Sequence, residues 1–260
     1  KDNTLYDKFN SDYKLKKAIT FCLKFKKNCT PTSVRDGLEM IGGNVATNFK
    51  AMNAKALYEK YCPKDGVIYD FACGFGGRMV GALTSKNNYK YIGVEPCTET
   101  YNNLLKLGGH IDRTLGGNSR FLVLKLGSEV FGSETKEPFA DFAFSSPPYF
   151  TLEKYSDEES QCYIKYPTLD LWFKNYVEPT IRNINNILKK GSYYAVNIAD
   201  FKIGKKDIEY VNHWIDISKS FGFEYVEQIH MKLQTRRGAG HDKSNLRSKK
   251  EGIFIFKKIN

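Results

Sequence analysis

No run of about eighteen apolar residues occurs in the sequence, so no membrane-crossing helix is expected. No charged-then-apolar leader opens it, which points to an intracellular setting, cytoplasmic or nucleoid- or nucleus-associated. The first residue is Lys1 rather than Met, which leaves room for residues upstream. Histidine is scarce, four in 260 residues, and none stands at zinc-ligand spacing from a cysteine. Cys22, Cys29, Cys62, Cys73, Cys97 and Cys162 form no CxxC pair. A metal centre is therefore not expected, and the cysteines read as reduced thiols. No Lys-Ser/Thr follows the glycine-rich turn described below, which excludes a phosphate-binding P-loop.

Acidic residues are outnumbered, 29 Asp+Glu against 40 Lys+Arg, for a net charge of +11. That balance favours a polyanionic partner. Residues 1–30 carry eight Lys and three Asp. Residues 235–250 carry six cations (Arg236, Arg237, Lys243, Arg247, Lys249, Lys250) and one Asp. Both stretches suit a phosphate backbone. Arg236, Arg237, Lys243 and Arg247 are the candidate nucleic-acid contacts.

What is present is an alternation of short apolar strands with helices. Residues 1–60 read as helical and polar, with apolar residues at helical spacing over Ile19–Phe25 and Ala51–Tyr61. Cys62-Pro63-Lys64-Asp65-Gly66 breaks that pattern. Strands are then expected at Val67–Phe71, Tyr89–Val94, Arg120–Leu126, Phe139–Phe144, Tyr193–Ile198, Phe223–His230 and Ile253–Lys257. Helices are expected at Gly77–Thr84, Thr98–Leu107, Leu169–Leu188 and Asp207–Ser220, with Lys189-Lys190-Gly191 as a helix stop. The pattern predicts an α/β fold: a mixed, mostly parallel sheet with helices on both faces. Residues 1–45 read as a basic helical segment that could contact DNA, and 46–260 as the main domain.

In such sheets ligands bind at the carboxyl ends of the strands. Two glycine-bearing segments fall there. Asp70-Phe71-Ala72-Cys73-Gly74-Phe75-Gly76-Gly77-Arg78 follows the first strand. Glycines at such a turn let a ligand approach the backbone, and the next helix offers amide donors. Glu95, at the end of the second strand and 19 residues after Gly76, can accept hydrogen bonds from both hydroxyls of a ribose. The third segment, Ser145-Ser146-Pro147-Pro148-Tyr149-Phe150, follows the fourth strand. Two prolines fix the backbone and remove two amide donors, leaving carbonyl acceptors. A small hydroxyl before them and an aromatic ring after them make a slot for a flat ring bearing an amine.

Together these segments resemble the class I S-adenosylmethionine-dependent methyltransferases, with a Rossmann-like seven-stranded sheet. Ser146-Pro147-Pro148-Tyr149 is similar to the (Asp/Asn/Ser)-Pro-Pro-(Tyr/Phe/Trp) signature of the DNA amino-methyltransferases that act on adenine N6 or cytosine N4. The cofactor motif precedes the catalytic one, as in the gamma-type order, and the resemblance covers roughly 45–260. It implies S-adenosyl-L-methionine held by Phe49, Asp70, Ala72, Cys73, Gly74, Gly76, Glu95, Pro96, Ser128, Glu129 and Ser146. Within that set Phe49 would meet the methionine end and Ser128-Glu129 the adenine. Ala72 stands where the family usually has Phe, which trims the methionine pocket. The catalytic group would be Ser146, Pro147, Pro148 and Tyr149, with the target base flipped onto Tyr149. Ser at position 146 leans toward cytosine, and Asp would lean toward adenine.

The alternatives are an RNA adenine methyltransferase, a protein glutamine methyltransferase, and a catalytically silent nucleic-acid-binding subunit. The intact glycines and Pro-Pro pair argue against the last. No long target-recognition domain is visible. That role falls to the Phe150–Pro167 loop, the basic amino-terminal region and the 235–250 stretch, or to a partner.

Overall fold

A computed structural model describes residues 8–26, 28–41, 48–117, 120–152, 154–232 and 250–259. Its chain divides into two units, Lys1–Thr47 and Asn48–Asn260. The first contains α1 (Asp12–Phe21), a π-helical turn (Cys22–Lys26) and α2 (Pro31–Met40). Thr30 caps α2: its hydroxyl accepts the Ser33 N–H, and the Ser33 hydroxyl accepts the Thr30 N–H in return. Gly37 of α2 lies close enough to Ala18 of α1 that a Cβ there would stand 3.0 Å from the Ala18 carbonyl oxygen.

The second unit is built on seven strands: β1 (Val67–Asp70), β2 (Lys90–Val94), β3 (Phe121–Leu124), β4 (Ala140–Ser145), β5 (Leu188–Ile198), β8 (Phe223–Lys232) and β9 (Lys250–Lys258). A small hairpin pairs β6 (Phe201–Ile203) with β7 (Lys206–Ile208). The large sheet runs β3-β2-β1-β4-β5-β9-β8. Its β1 to β5 neighbours pair in parallel, and β9 is antiparallel to both β5 and β8. The order reverses between β1 and β4, which is where a ligand crevice forms in this architecture.

Side chains alternate across the sheet as the pleat requires. Phe142, Phe144, Ala195, Ile253 and Ile255 join α3 (Ala51–Tyr61) and α4 (Gly77–Leu83) in one core. Ala143, Tyr194, Val196, Phe254 and Phe256 join α8 (Glu178–Ile187) and α9 (Tyr210–Ser220) in the other. Among the described residues no helix is long and apolar enough to cross a membrane. None of them form a metal-binding cluster, and all six cysteines are free.

The structure differs from the sequence expectation in several places, one being the helix expected from Asp207, which starts at Tyr210 because Lys206–Ile208 forms β7. The predicted helix 98–107 extends to α5 (Thr98–Thr114), running through Gly108. A Cβ at Gly108 would meet the Phe121 ring, so this glycine permits close packing on β3 rather than ending the helix. The single helix expected over 169–188 is α7 (Leu169–Trp172), a π turn (Phe173–Val177) and α8, following a short α6 (Cys162–Lys165). Lys189-Lys190-Gly191 belongs to β5, not to a helix stop. The carbonyls near the end of α8 are held instead by Lys258, whose Nζ donates to Asn185 (2.7 Å) and Leu188 (2.9 Å).

Candidate active site

Asp70 closes β1 with its side chain fully buried. One carboxylate oxygen accepts the Ser145 hydroxyl (2.8 Å) and the Ala72 N–H (3.3 Å). The other accepts Arg78 Nε (2.8 Å) and the Tyr91 hydroxyl (2.7 Å). Four bonds fill its acceptor sites. Asp70 thus ties β1, β2, β4 and α4 together, its carboxylate taken up by partners inside the protein. Ala72 and Cys73 also direct polar groups inward. The Ala72 carbonyl accepts from Ser145 and Arg78, and the Cys73 N–H donates to Val94. The Cys73 thiol lies where a Cβ on Gly93 would strike it, and burial pushes its pKa well up.

Gly74 and Gly76 have φ of +53° and +80°, the left-handed region that favours glycine. A Cβ built on Gly74 would stand in open space, so the turn leaves a cradle above it. At Gly77 a Cβ would strike the Phe49 carbonyl. Asn48 clamps the turn: its Oδ1 accepts the Gly77 N–H (3.0 Å) and its Nδ2 donates to the Phe75 carbonyl (3.2 Å). Phe49 packs edge-on to Phe144, 5.1 Å between centroids, with the Arg78 guanidinium 5.8 Å from its ring.

Glu95 follows β2 and is 8% exposed. Its carboxylate accepts the Gly74 N–H (3.1 Å) and the Cys97 N–H (2.9 Å). Burial pushes its pKa up to about 7 despite those two amide donors. The Pro96 carbonyl accepts the Ser160 hydroxyl at 3.1 Å. Ser128 faces the interior. Its hydroxyl pairs with Thr180 (2.8 Å) and its carbonyl accepts from Asn183 (2.9 Å). Glu129 is paired with Lys165 at 2.6 Å.

Ser146 lies next to Asn197 because Ser145 pairs with Val196 across β4 and β5. The Ser146 hydroxyl donates to the Asn197 carbonyl at 3.2 Å. Tyr149 is partly buried, edge-on to Phe201 and Tyr210, each 5.8 Å between centroids. Phe150, buried against Trp172, has φ +49°, an unfavourable conformation for a non-glycine residue. That kink in the chain follows directly on Tyr149.

Sequence reasoning placed Asn48 beside Phe49 in the segment expected at the methionine end, and singled out none of Ser145, Asn197 and Glu158. Glu158, from the loop after the Pro-Pro pair, accepts the Thr98 N–H (3.0 Å) and hydroxyl (2.7 Å) at the start of α5. The Thr98 hydroxyl above all, then the Thr98 N–H and the Lys125 charge, hold its carboxyl below the usual range. An acid 60 residues from the helix it caps leaves no local signal. Arg236, Arg237, Lys243 and Arg247 lie outside the described residues. The strand ends on either side of them, Lys232 and Lys250, pair with each other.

No family model and no curated protein matches the chain. Solved structures do. The [4+2]-cyclase SpnF aligns with a TM-score of 0.54 at 12% identity, over 80% of this chain and 81% of that one. A methyltransferase from Pyrococcus furiosus aligns at 0.52 and 13%, over 94% and 97%. A protein of Pyrococcus horikoshii, named provisionally as an RNA methyltransferase, aligns at 0.51 and 17%, over 81% and 83%. At these identities the likeness establishes the fold: a Rossmann-like α/β fold of the class I methyltransferase type. A cyclase among the neighbours means that the reaction must be argued from the site.

Proposed function

We propose that the protein is an S-adenosylmethionine-dependent methyltransferase acting on the exocyclic amine of a nucleic-acid base, adenine N6 or cytosine N4 of DNA. The observation that carries this reading is the state of Ser146. A carbonyl can only accept, so the Ser146 hydrogen is committed to Asn197, and its oxygen has lone pairs alone to offer. An amine N–H is the partner such an oxygen suits. The exocyclic amine of a base is a weak nucleophile because its lone pair is delocalised into the ring. Ser146 and the Pro147 carbonyl, by accepting its two N–H bonds, favour a pyramidal nitrogen with the lone pair free to attack. Positioning and electrostatics then do most of the catalysis. Tyr149 offers a ring against which a flipped base can stack.

The residues at the strand ends fit the cofactor. The open space at Gly74 would admit it, Glu95 would accept its ribose hydroxyls, Pro96 would flank the nucleoside, and Phe49 would meet the methionine end. When bound, S-adenosylmethionine supplies an electrophilic sulfonium methyl group. The methyltransferases among the structural neighbours support this reading. A nucleic-acid partner is supported by the +11 charge and the basic 235–250 stretch.

The test is incubation with methyl-labelled cofactor and, separately, duplex DNA, single-stranded DNA and RNA, followed by digestion to nucleosides. Label on N6-methyladenine or N4-methylcytosine from DNA is expected. Label in RNA alone would transfer the proposal to RNA. Cofactor binding with no label in any nucleic acid would overturn it and favour a silent subunit.

A further inference from the structure

A cleft of about 310 Å³ opens where β5 ends, between the start of α9 and the β8–β9 pair. Ile198, Val211 and Phe254 give it apolar walls. Its polar lining is Asp200, Asn212 and Gln228, all three exposed. Among the described residues no lysine or arginine lines it, so it does not suit a phosphate. A carboxylate and two amides beside apolar walls suit a neutral flat ring with N–H groups on its edge. The cleft adjoins the candidate catalytic group on two sides. Asp200 and Val211 stand next in sequence to Phe201 and Tyr210, the two rings packed edge-on to Tyr149. Asp200 also accepts the Val211 N–H at 2.9 Å, which holds the exit of β5 against α9. On the other side, a Cβ built on Gly252 would stand 2.5 Å from Gln228 Nε2, so the glutamine amide lies over this glycine. The Gly252 carbonyl accepts Asn197 Nδ2 at 3.0 Å, and the Asn197 carbonyl accepts the Ser146 hydroxyl. Gly252 and Asn197 thus connect Gln228 to Ser146.

We propose that this cleft receives the base next to the target in the polynucleotide, and that Gln228 reads the edge of that base. That assignment rests on the methyl-transfer reading above. Consecutive bases are joined by a single sugar–phosphate unit, so a base held at Tyr149 brings its neighbour to an adjoining opening. A glutamine amide both donates and accepts, which matches an adenine edge, and Asp200 can accept from an exocyclic amine. Adenine, cytosine and guanine carry such an amine, whereas thymine and uracil do not. Sequence preference would then begin on the sheet itself, at β8, beside the catalytic group.

The test uses the full chain and the oligonucleotide, DNA or RNA, that accepts the methyl label, in single-turnover methylation. Abasic residues replace, one at a time, the bases on either side of the methylated one. For the wild type, one such replacement is expected to lower the rate about tenfold, the loss of one read base. Gln228→Ala is expected to lose about tenfold on the intact oligonucleotide and nothing further at that position, which closes a double-mutant cycle. Asn212→Ala, on a different element, is expected to blunt the same position, and it carries the test if Gln228→Ala does not fold. Both side chains are exposed, so melting temperature and S-adenosylhomocysteine affinity are expected to stay at wild type. An unchanged abasic profile in the variants would overturn the cleft assignment and leave the methyl-transfer reading intact. Methyl label in no nucleic acid would overturn both.

Discussion

Glu95 receives two amide hydrogen bonds, yet burial outweighs them, and its carboxyl titrates near pH 7 instead of 4.5. Raised in the folded state, it contributes stability that is fully present below about pH 4.5 and is lost as pH rises through about 7. Cofactor affinity should run the other way. In the proposed cofactor site two ribose hydroxyls would donate to the charged form, so binding below pH 7 would expel a proton. Affinity is expected to fall by up to about tenfold per pH unit below 7 and to level off above it. Glu95→Gln should bind more weakly and lose most of that slope. Calorimetry in buffers of different ionisation heat reads both the affinity and the proton released. At Ser146 the expected outcome is different. Ser146→Ala should lower single-turnover methylation while cofactor affinity and melting temperature stay near wild type, because its acceptor matters most as the amine reorganises. Tyr149→Ala should lose about tenfold to a hundredfold in rate, the worth of one stacked base, and Tyr149→Phe much less. Full activity in a folded Tyr149→Ala variant would remove Tyr149 from the catalytic group. The positions of Gly74, Glu95 and Ser146 were legible in the sequence because each follows a recognisable strand. The direction of a strand-end side chain was not. Asp70 and Ser128 turn inward because partners distant in the chain, Arg78 and Tyr91 for one and Thr180 for the other, complete their hydrogen bonds.

At the scale of elements, the sheet follows from period-two apolar runs, and all seven of its strands were foreseen near their observed places. The β6–β7 hairpin was missed because three-residue strands carry too little pattern to separate from a loop. The end of α8 was misplaced for a related reason. Lys189-Lys190-Gly191 is a plausible helix stop, but those residues enter β5, and the cap comes from Lys258 at the far end of the chain. Lys258→Met should keep the aliphatic stem and leave two carbonyls unmatched. A loss of about 1–3 kcal/mol is expected, measured as a shift of the urea midpoint with an unchanged slope. An unaltered midpoint would mean that water satisfies those carbonyls as well as the ammonium does.

For the whole molecule, charge is the governing quantity. Neutralising about four to six phosphates should cut nucleic-acid affinity by about 10²–10³ between 50 and 200 mM salt. A flat response, measured by fluorescence anisotropy, would rule out the polyanion reading. Replacing Arg236, Arg237, Lys243 and Arg247 together should reduce the slope of the salt plot and leave cofactor binding untouched. The β8–β9 pairing on either side of them also bears on how the protein can change. The last β5–β9 pair is Ile198 with Gly252, yet β8 and β9 go on pairing past it to Lys232 and Lys250. Residues 233–249, seventeen in number, join these two strands in the sequence and lie outside the described residues. Doubling the length of a flexible connection costs only about 0.6 kcal/mol in closure entropy. If the 235–250 stretch reads the target, as proposed, lengthening or exchanging it should change target preference while the strand ends that hold Glu95 and Ser146 keep their register.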